Sequence, residues 1–217
     1  MADVLAASAA AITQVAIGHP FDTAKVLIQN NKNWRLLKPR EFYRGYRYPL
    51  VSDIIYNCTA FPVYKRSQKY TNSRFISGFL SGVCISPMVF LFDTGKILRQ
   101  TKQSVSLTKI LKRNGKLATL YRESLAMTFY FSTYDFLKDK NYHPMIAGAG
   151  AGITNWTLSY PIDVIRGRQI AQNITLRTAF NMGNLWKGYS LCATRALLVN
   201  AGIFYTYDTV YNFLNGF

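Results

Sequence analysis

Pro20-Phe21-Asp22-Thr23-Ala24-Lys25 closes the first long apolar stretch of the chain, and its charged part returns twice, as Asp93-Thr94-Gly95-Lys96 and as Asp163-Val164-Ile165-Arg166. The three aspartates are 71 and 70 residues apart. One such pattern matches by chance, but three copies at even spacing, each ending an apolar stretch, mark an internal repeat. Two further landmarks keep the same step. Tyr43-Arg44-Gly45 returns as Arg113-Asn114-Gly115 and as Trp186-Lys187-Gly188. Tyr64-Lys65-Arg66-Ser67-Gln68 returns as Tyr134-Asp135-Phe136-Leu137-Lys138 and as Tyr207-Asp208-Thr209-Val210-Tyr211. The chain therefore divides into residues 1–72, 73–142 and 143–217, three parts of one domain with no Ser/Gly/Pro-rich linker between them.

Each part reads as a long apolar segment, a short basic connection and a second apolar segment. The pattern predicts helices over about 3–29, 46–68, 74–100, 116–138, 144–172 and 189–213. Each has about the 20 residues needed to cross the ~30 Å hydrocarbon core of a bilayer. Small residues collect in the odd-numbered segments, as in Ala147-Gly148-Ala149-Gly150-Ala151-Gly152, where they let helices approach closely. The expected fold is an all-α membrane protein, six transmembrane helices in three tandem two-helix repeats with threefold pseudosymmetry. About half of the residues are hydrophobic, yet the net charge is +16. Such a surplus suits an anionic membrane surface, an anionic substrate or nucleic acid. A mean hydropathy close to zero fits helices that are apolar only on the face turned to lipid. A nucleic-acid binder has no need of six membrane-length segments, and it leaves the three Asp-x-x-Lys/Arg copies unexplained.

The physics of those copies is specific. A proline inside a helix removes a backbone hydrogen bond and bends it, so Pro20 and Pro161 are expected kinks. An acid and a base three residues apart share one helix face. Three such ends around an axis can pair cyclically: Asp22 with Lys96, Asp93 with Arg166, Asp163 with Lys25. The second copy departs, with Leu91 in the proline position and Pro87 four residues earlier.

In these residues the chain resembles the Pro-x-Asp/Glu-x-x-Lys/Arg signature of the mitochondrial carrier family, and the repetition covers almost its whole length. The resemblance implies a solute carrier of the inner mitochondrial membrane whose matrix-side gate is the ring of ion pairs, broken and remade during exchange. It also implies an outer gate from the aromatic-acid-x-x-base motif, complete only in the second repeat. Lys65, Gln68 and Tyr211 replace expected charges, leaving Asp135, Lys138 and Asp208 as a weak network that opens easily. The connections are shorter than the family's, so their surface helices are expected to be reduced or missing. Arg44, Gly45, Lys187 and Gly188 are the expected lipid-binding residues, with cardiolipin as partner. Nearby Lys32, Arg35, Lys38, Arg40, Lys102, Lys109, Lys112 and Arg113 are placed to attract anionic headgroups.

Ionisable residues within a membrane helix normally face a cavity and mark function. Arg122-Glu123 lies thirteen residues before Asp135, Arg195 thirteen before Asp208, and Ser52, beside Asp53, thirteen before Lys65. Equal spacing puts them at one depth, ~20 Å along the helix from the outer motif. The resemblance makes Ser52, Arg122, Glu123 and Arg195 substrate contacts, with Trp156 beside them, similar to the branch that carries basic amino acids and carnitine esters. An arginine grips a carboxylate, Glu123 holds an ammonium and Trp156 offers a π face. Nucleotide or S-adenosylmethionine-type cargo is the alternative, and a non-transporting structural membrane subunit is the alternative of another class. No phosphate loop, nucleophile elbow or metal-ligand cluster is present in the sequence; no enzyme activity, cofactor or metal is expected, and a monomer is. His19 reads as a helix-end packing residue, and the three cysteines as small buried hydrophobes. Met1 leads into an Ala-rich stretch without a basic leader, so any targeting signal is expected to be internal.

Overall fold

The computed structural model describes the backbone of residues 2–215. It describes their side chains except at 2–8, 10, 11, 53, 54, 57, 58, 144, 145, 197, 200, 201, 203, 204, 207, 208, 211, 212, 214 and 215. All regular structure among the described residues is helical. Six helices are long: α1 (Ala2–Gln29), α2 (Arg47–Thr71), α3 (Arg74–Gln100), α5 (Lys116–Asp139), α6 (Pro144–Gln172) and α8 (Tyr189–Asn215). Their ends fall within three residues of the ranges that the apolar pattern predicts. Two helices are short, α4 (Leu107–Lys112) and α7 (Leu176–Asn181), and the first connection holds two 3-10 turns, Trp34–Leu36 and Pro39–Tyr43.

The local chemistry explains where helices start and stop. Ser73, Ser106 and Thr175 each accept a hydrogen bond from the backbone N–H three residues on, capping α3, α4 and α7. After α1, α3 and α6 the chain turns through left-handed Asn31, Lys102 and Asn173, and after α2 and α5 through Asn72 and Asn141. Asparagine adopts that conformation more readily than other side chains, which leaves Lys102 as the unusual member. Gly45, Gly115 and Gly188 take positive φ just before α2, α5 and α8. The backbone of α1, α2, α3 and α6 remains helical through Pro20, Pro62, Pro87 and Pro161.

α1 lies along α8, α3 is flanked by α2 and α5, and α5 lies along α6. Ala60, Tyr64, Ile85, Val89, Met127 and Phe131 form one apolar cluster joining α2, α3 and α5, with the Tyr64 and Phe131 rings stacked 3.8 Å apart. A second cluster, Val26, Phe90, Ile97, Leu98, Ile110 and Ile170, gathers the C-terminal halves of α1, α3 and α6. Those halves converge while much apolar surface points outward, including Phe75, Phe79, Leu117, Tyr121, Ile146 and Ile153. Among the described residues one helix, α3, is both long and apolar enough to cross a membrane on composition alone.

α3 and α5 touch backbone to backbone. A Cβ on Gly82 would stand 2.4 Å from the Glu123 carbonyl oxygen and from Ser124 Cα, and one on Gly78 2.7 Å from Thr128 Cα. Neither obstacle can move without moving the helix. A Cβ on Gly152 meets nothing within 4 Å. Gly82→Ala is expected to destabilise the folded protein by about 1–3 kcal/mol through overpacking, and Gly152→Ala to leave it unchanged. Thermal unfolding in detergent compares the two, and equal midpoints would contradict this packing.

Candidate functional site

Where α1, α3 and α6 converge, their charged side chains form cyclic ion pairs. Lys96 Nζ is 2.7 Å from Asp22 Oδ2, Arg166 Nη2 2.8 Å from Asp93 Oδ2, and Lys25 Nζ 2.7 Å from Asp163 Oδ2. Each pair joins a different two of the three helices. Lys25, Asp163 and Arg166 are buried, and charges withdrawn from water in this way persist only when paired.

The residues expected to hold cargo are bonded into the same network. Arg122 Nη1 donates to Glu123 Oε1 at 2.6 Å, and its Nε lies 3.9 Å from Asp163 Oδ1. Arg166 Nη1 reaches Glu123 Oε1 at 3.3 Å. Arg195 Nε is 2.8 Å from Asp22 Oδ1, a close charge contact without the alignment of a hydrogen bond. Equal sequence spacing suggests a binding level separate from the gate; the long guanidinium side chains bring the two together. Glu123 is fully buried, and its Oε2 has no hydrogen-bond partner.

Trp156 also differs from the expectation of a free π face. Lys25 Nζ sits 4.7 Å and the Arg122 guanidinium 5.1 Å from its ring centre, so two of the protein's own cations already use it. Tyr160 adds a second ring 5.0 Å from Lys25. Ser52 lines the same cavity, of about 250 Å3, together with Tyr56 and Asn155. The cavity wall carries Lys25, Lys96, Arg122, Arg166 and Arg195 against Asp22, Asp93 and Asp163. With Glu123 counted behind Arg122, one positive charge is in excess.

Sequence reasoning missed Gln29, whose amide donates at 3.5 Å to both Asp163 Oδ2 and Tyr160 OH under the Lys25 pair. The signal was available: Gln29 and Gln100 each follow the gate lysine by four residues, in step with the repeat. Gln100 donates instead to Thr23 Oγ1 at 3.0 Å. Arg168 is almost fully buried and donates to four backbone carbonyls, those of Gln29, Ala179, Gly183 and Asn184. It ties the end of α1 to the chain around α7. His19, expected to pack at a helix end, is buried within α1, ten residues before its last residue, and contacts the Arg44 carbonyl through Nε2 at 3.0 Å.

At the opposite end, Asp135 accepts from Tyr64 OH at 2.5 Å and from Gln68 Nε2 at 3.2 Å, with Arg74 Nε 4.0 Å away. Arg74, absent from the expected motif, also pairs with Asp139. Lys138 is exposed, and among the described residues no acid pairs with it. The Asp208 side chain lies outside the described residues. Cys192 is buried, Cys84 is exposed, and the Cys58 side chain lies outside the described residues.

Around the converging ends, Arg44 and Gly45 line a groove of about 880 Å3 with Arg40, Arg47, Arg99 and Lys102. Arg44 is 3.3 Å from Glu41 Oε1. Lys187, preceding Gly188, faces a smaller recess with Lys32 and Arg35.

No family model matches the chain. Curated proteins do, along most of their length. Solute carrier family 25 member 45 of Mus musculus is 26% identical, with 89% of this chain and 92% of the relative covered. Mitochondrial ornithine transporter 1 of Saccharomyces cerevisiae is 23% identical, with 96% and 94% covered. Mitochondrial magnesium exporter 1 of Drosophila melanogaster is 25% identical, with 76% and 74% covered. The alignment to the yeast protein runs to 274 positions against 217 residues here, so that relative carries segments that this chain lacks. In its thrice-repeated signature, in the cyclic pairs that its charges form and in its match to these transporters over most of their length, the chain is similar to the mitochondrial carriers.

Proposed function

We propose that this carrier moves a cationic or zwitterionic amino acid, or a carnitine-type compound, across the inner mitochondrial membrane by alternating access, in exchange for a counter-substrate. The observation that carries this reading is the bonding of Arg122, Glu123 and Arg195 to the gate charges around one cavity. Among the described residues, every carboxylate of that network already has a cationic partner, so cargo binds by exchanging partners. A cargo carboxylate draws Arg195 from Asp22, or Arg122 from Asp163. A cargo ammonium draws Glu123 from Arg166 or takes a face of Trp156. Either exchange weakens the ring that closes the mouth, and binding energy offsets the cost of opening it. The name of the yeast relative, an ornithine transporter, fits this chemistry.

A bare divalent cation, the cargo in the name of the fly relative, fits less well. Such ions need a cage of hard oxygens, whereas this cavity has excess positive charge and paired carboxylates. A nucleotide satisfies the surplus charge but leaves Glu123 facing phosphate. A structural subunit without transport has no use for a cavity at a ring of exchangeable pairs.

In this reading the six long helices are transmembrane and form three pseudo-equivalent repeats, kinked at Pro20 and Pro161, and the converging end is the matrix-side gate. The outward apolar side chains of α3, α5 and α6 support it, since lipid is the solvent they suit. At the outer mouth, Asp135, Lys138 and Asp208 form a weak gate. The protein works as a monomer, with anionic lipid at Arg44-Gly45 and Lys187-Gly188, where positive φ brings the glycine backbone to the surface beside a cation.

Three results test the proposal. Purified protein in liposomes is expected to exchange labelled basic amino acid or carnitine; failure with both, alongside exchange of nucleotide, would move the cargo to the alternative class. Asp22→Asn leaves Lys96 and Arg195 without their carboxylate, whereas Asp93→Asn leaves Arg166 with Asp163 and Glu123. The first is therefore expected to cost about 3 kcal/mol of stability and the second about 1, with exchange rates falling in the same order; the reverse order would refute the network. Cardiolipin is expected to raise the unfolding temperature in detergent, and Arg44→Ala with Lys187→Ala to halve that rise. An undiminished rise would place the lipid elsewhere.

A further inference from the structure

Below the ion pairs, the three residues that end α1, α3 and α6 make a set of their own. Asn31, Lys102 and Asn173 are 71 residues apart each time and share a left-handed backbone, with φ of 57°, 62° and 56°. The turns are built alike: Lys32 N donates to Leu27 O and Gln103 N to Leu98 O, both at 2.8 Å.

Each of the three also bonds to a neighbouring repeat. Asn31 Oδ1 accepts from Lys187 Nζ, tying the first repeat to the third. Lys102 Nζ lies 2.7 Å from Glu41 Oε1, tying the second to the first. Asn173 Oδ1 accepts from Asn114 N at 3.1 Å, and Asn114 Nδ2 donates to Asn173 O at 3.2 Å, tying the third to the second. Lys187 and Asn114 immediately precede Gly188 and Gly115, and Glu41 holds Arg44, which precedes Gly45. The contacts thus join each helix end to the start of the second long helix of a neighbouring repeat, α8, α2 and α5 in turn. Gln103 Nε2 to Ala171 O at 2.8 Å and Gln172 Nε2 to Asn30 Oδ1 at 3.0 Å lie beside them. The Lys102 ammonium, donating to Glu41, holds that carboxyl below its usual range.

We infer that Asn31, Lys102 and Asn173 form a second closure of the matrix-side mouth, a collar of contacts between repeats that parts when the gate opens and biases the resting protein toward the closed mouth. The geometry requires this coupling. The ion pairs and the collar join the same pairs of repeats, one above the other, so repeats cannot separate at the first ring while held at the second. Collar contacts lie at the surface, where water replaces them, so each contributes little and the three act as a bias. Lys187 and Arg44 take part in the collar and are also the proposed lipid residues, which makes an anionic headgroup a competitor for the same side chains.

The inference rests on the alternating-access reading, but its test uses no cargo, so the two fail separately. Glycine keeps the left-handed turn and removes the side chain, so the variant is Asn31→Gly, Lys102→Gly, Asn173→Gly. A cysteine replacing Asn155, which lines the cavity, is the reporter, in a background where Cys58, Cys84 and Cys192 are alanine. In oriented vesicles, a membrane-impermeant maleimide added on the matrix side is expected to label the triple variant about tenfold faster than the parent, with outer-side labelling not increased. An unchanged matrix-side rate overturns the inference. So does faster labelling from both sides with loss of helical signal, which is general loosening. If the triple variant does not accumulate, Asn173→Gly alone is expected to give a smaller rise on the matrix side only, and its absence is equally decisive.

Discussion

A charge moved out of water must find an opposite charge or a set of dipoles, and this protein gathers nine such groups at the point where three helices converge. Around that constraint the rest is arranged. Four carboxylates and five cations satisfy one another mostly across helix boundaries, with Arg122–Glu123 and Asp163–Arg166 the two contacts made within a single helix. Near the ring, ion pairs with exchangeable partners stand beside the apolar cluster of Val26, Ile97 and Ile170, whereas α2, α3 and α5 farther along are joined by aromatic and aliphatic contacts.

That arrangement gives a physical meaning to the proposed sharing of residues between gate and cargo. In a network where Asp163 receives Lys25, Arg166 and Arg122, and Asp22 receives Lys96 and Arg195, no carboxylate can be claimed by a newcomer's partner without effect on its neighbours. Under the proposed function, recognition and opening are one rearrangement. The aromatic rings of Trp156 and Tyr160 lower its cost, since Lys25 retains a π face while its carboxylate is lost.

The helices and the cyclic pairs were legible because both are periodic. Hydrophobic runs bounded by glycine and asparagine fix helix ends locally, and an Asp-x-x-Lys spacing with a repeat of about 70 leaves two cyclic ways to pair, of which the fold adopts one. What the sequence did not reveal depends on reach. Nothing in the spacing of Arg122 and Arg195 says that their side chains extend to Asp163 and Asp22, or that Lys25 and Arg122 both lie against the Trp156 ring. Gln29 and the left-handed helix ends were in register all along, but neither amides nor turn residues stand out until a partner is seen. Arg74 escaped for a different reason: it belongs to the start of α3, outside the motif it completes at Asp135.

The glycine contact between α3 and α5 has a mechanical side. Where two helices meet through side chains, each can slide by a rotamer change; where Gly78 and Gly82 set backbone against backbone, no intervening side chain can repack. α3 and α5 are thus geared together and travel as one lever. The displacement that opens a mouth must be taken up elsewhere, at boundaries such as α1 against α3 and α3 against α6, where charges rather than backbone make the contact. Rigidity in one seam concentrates compliance in the others.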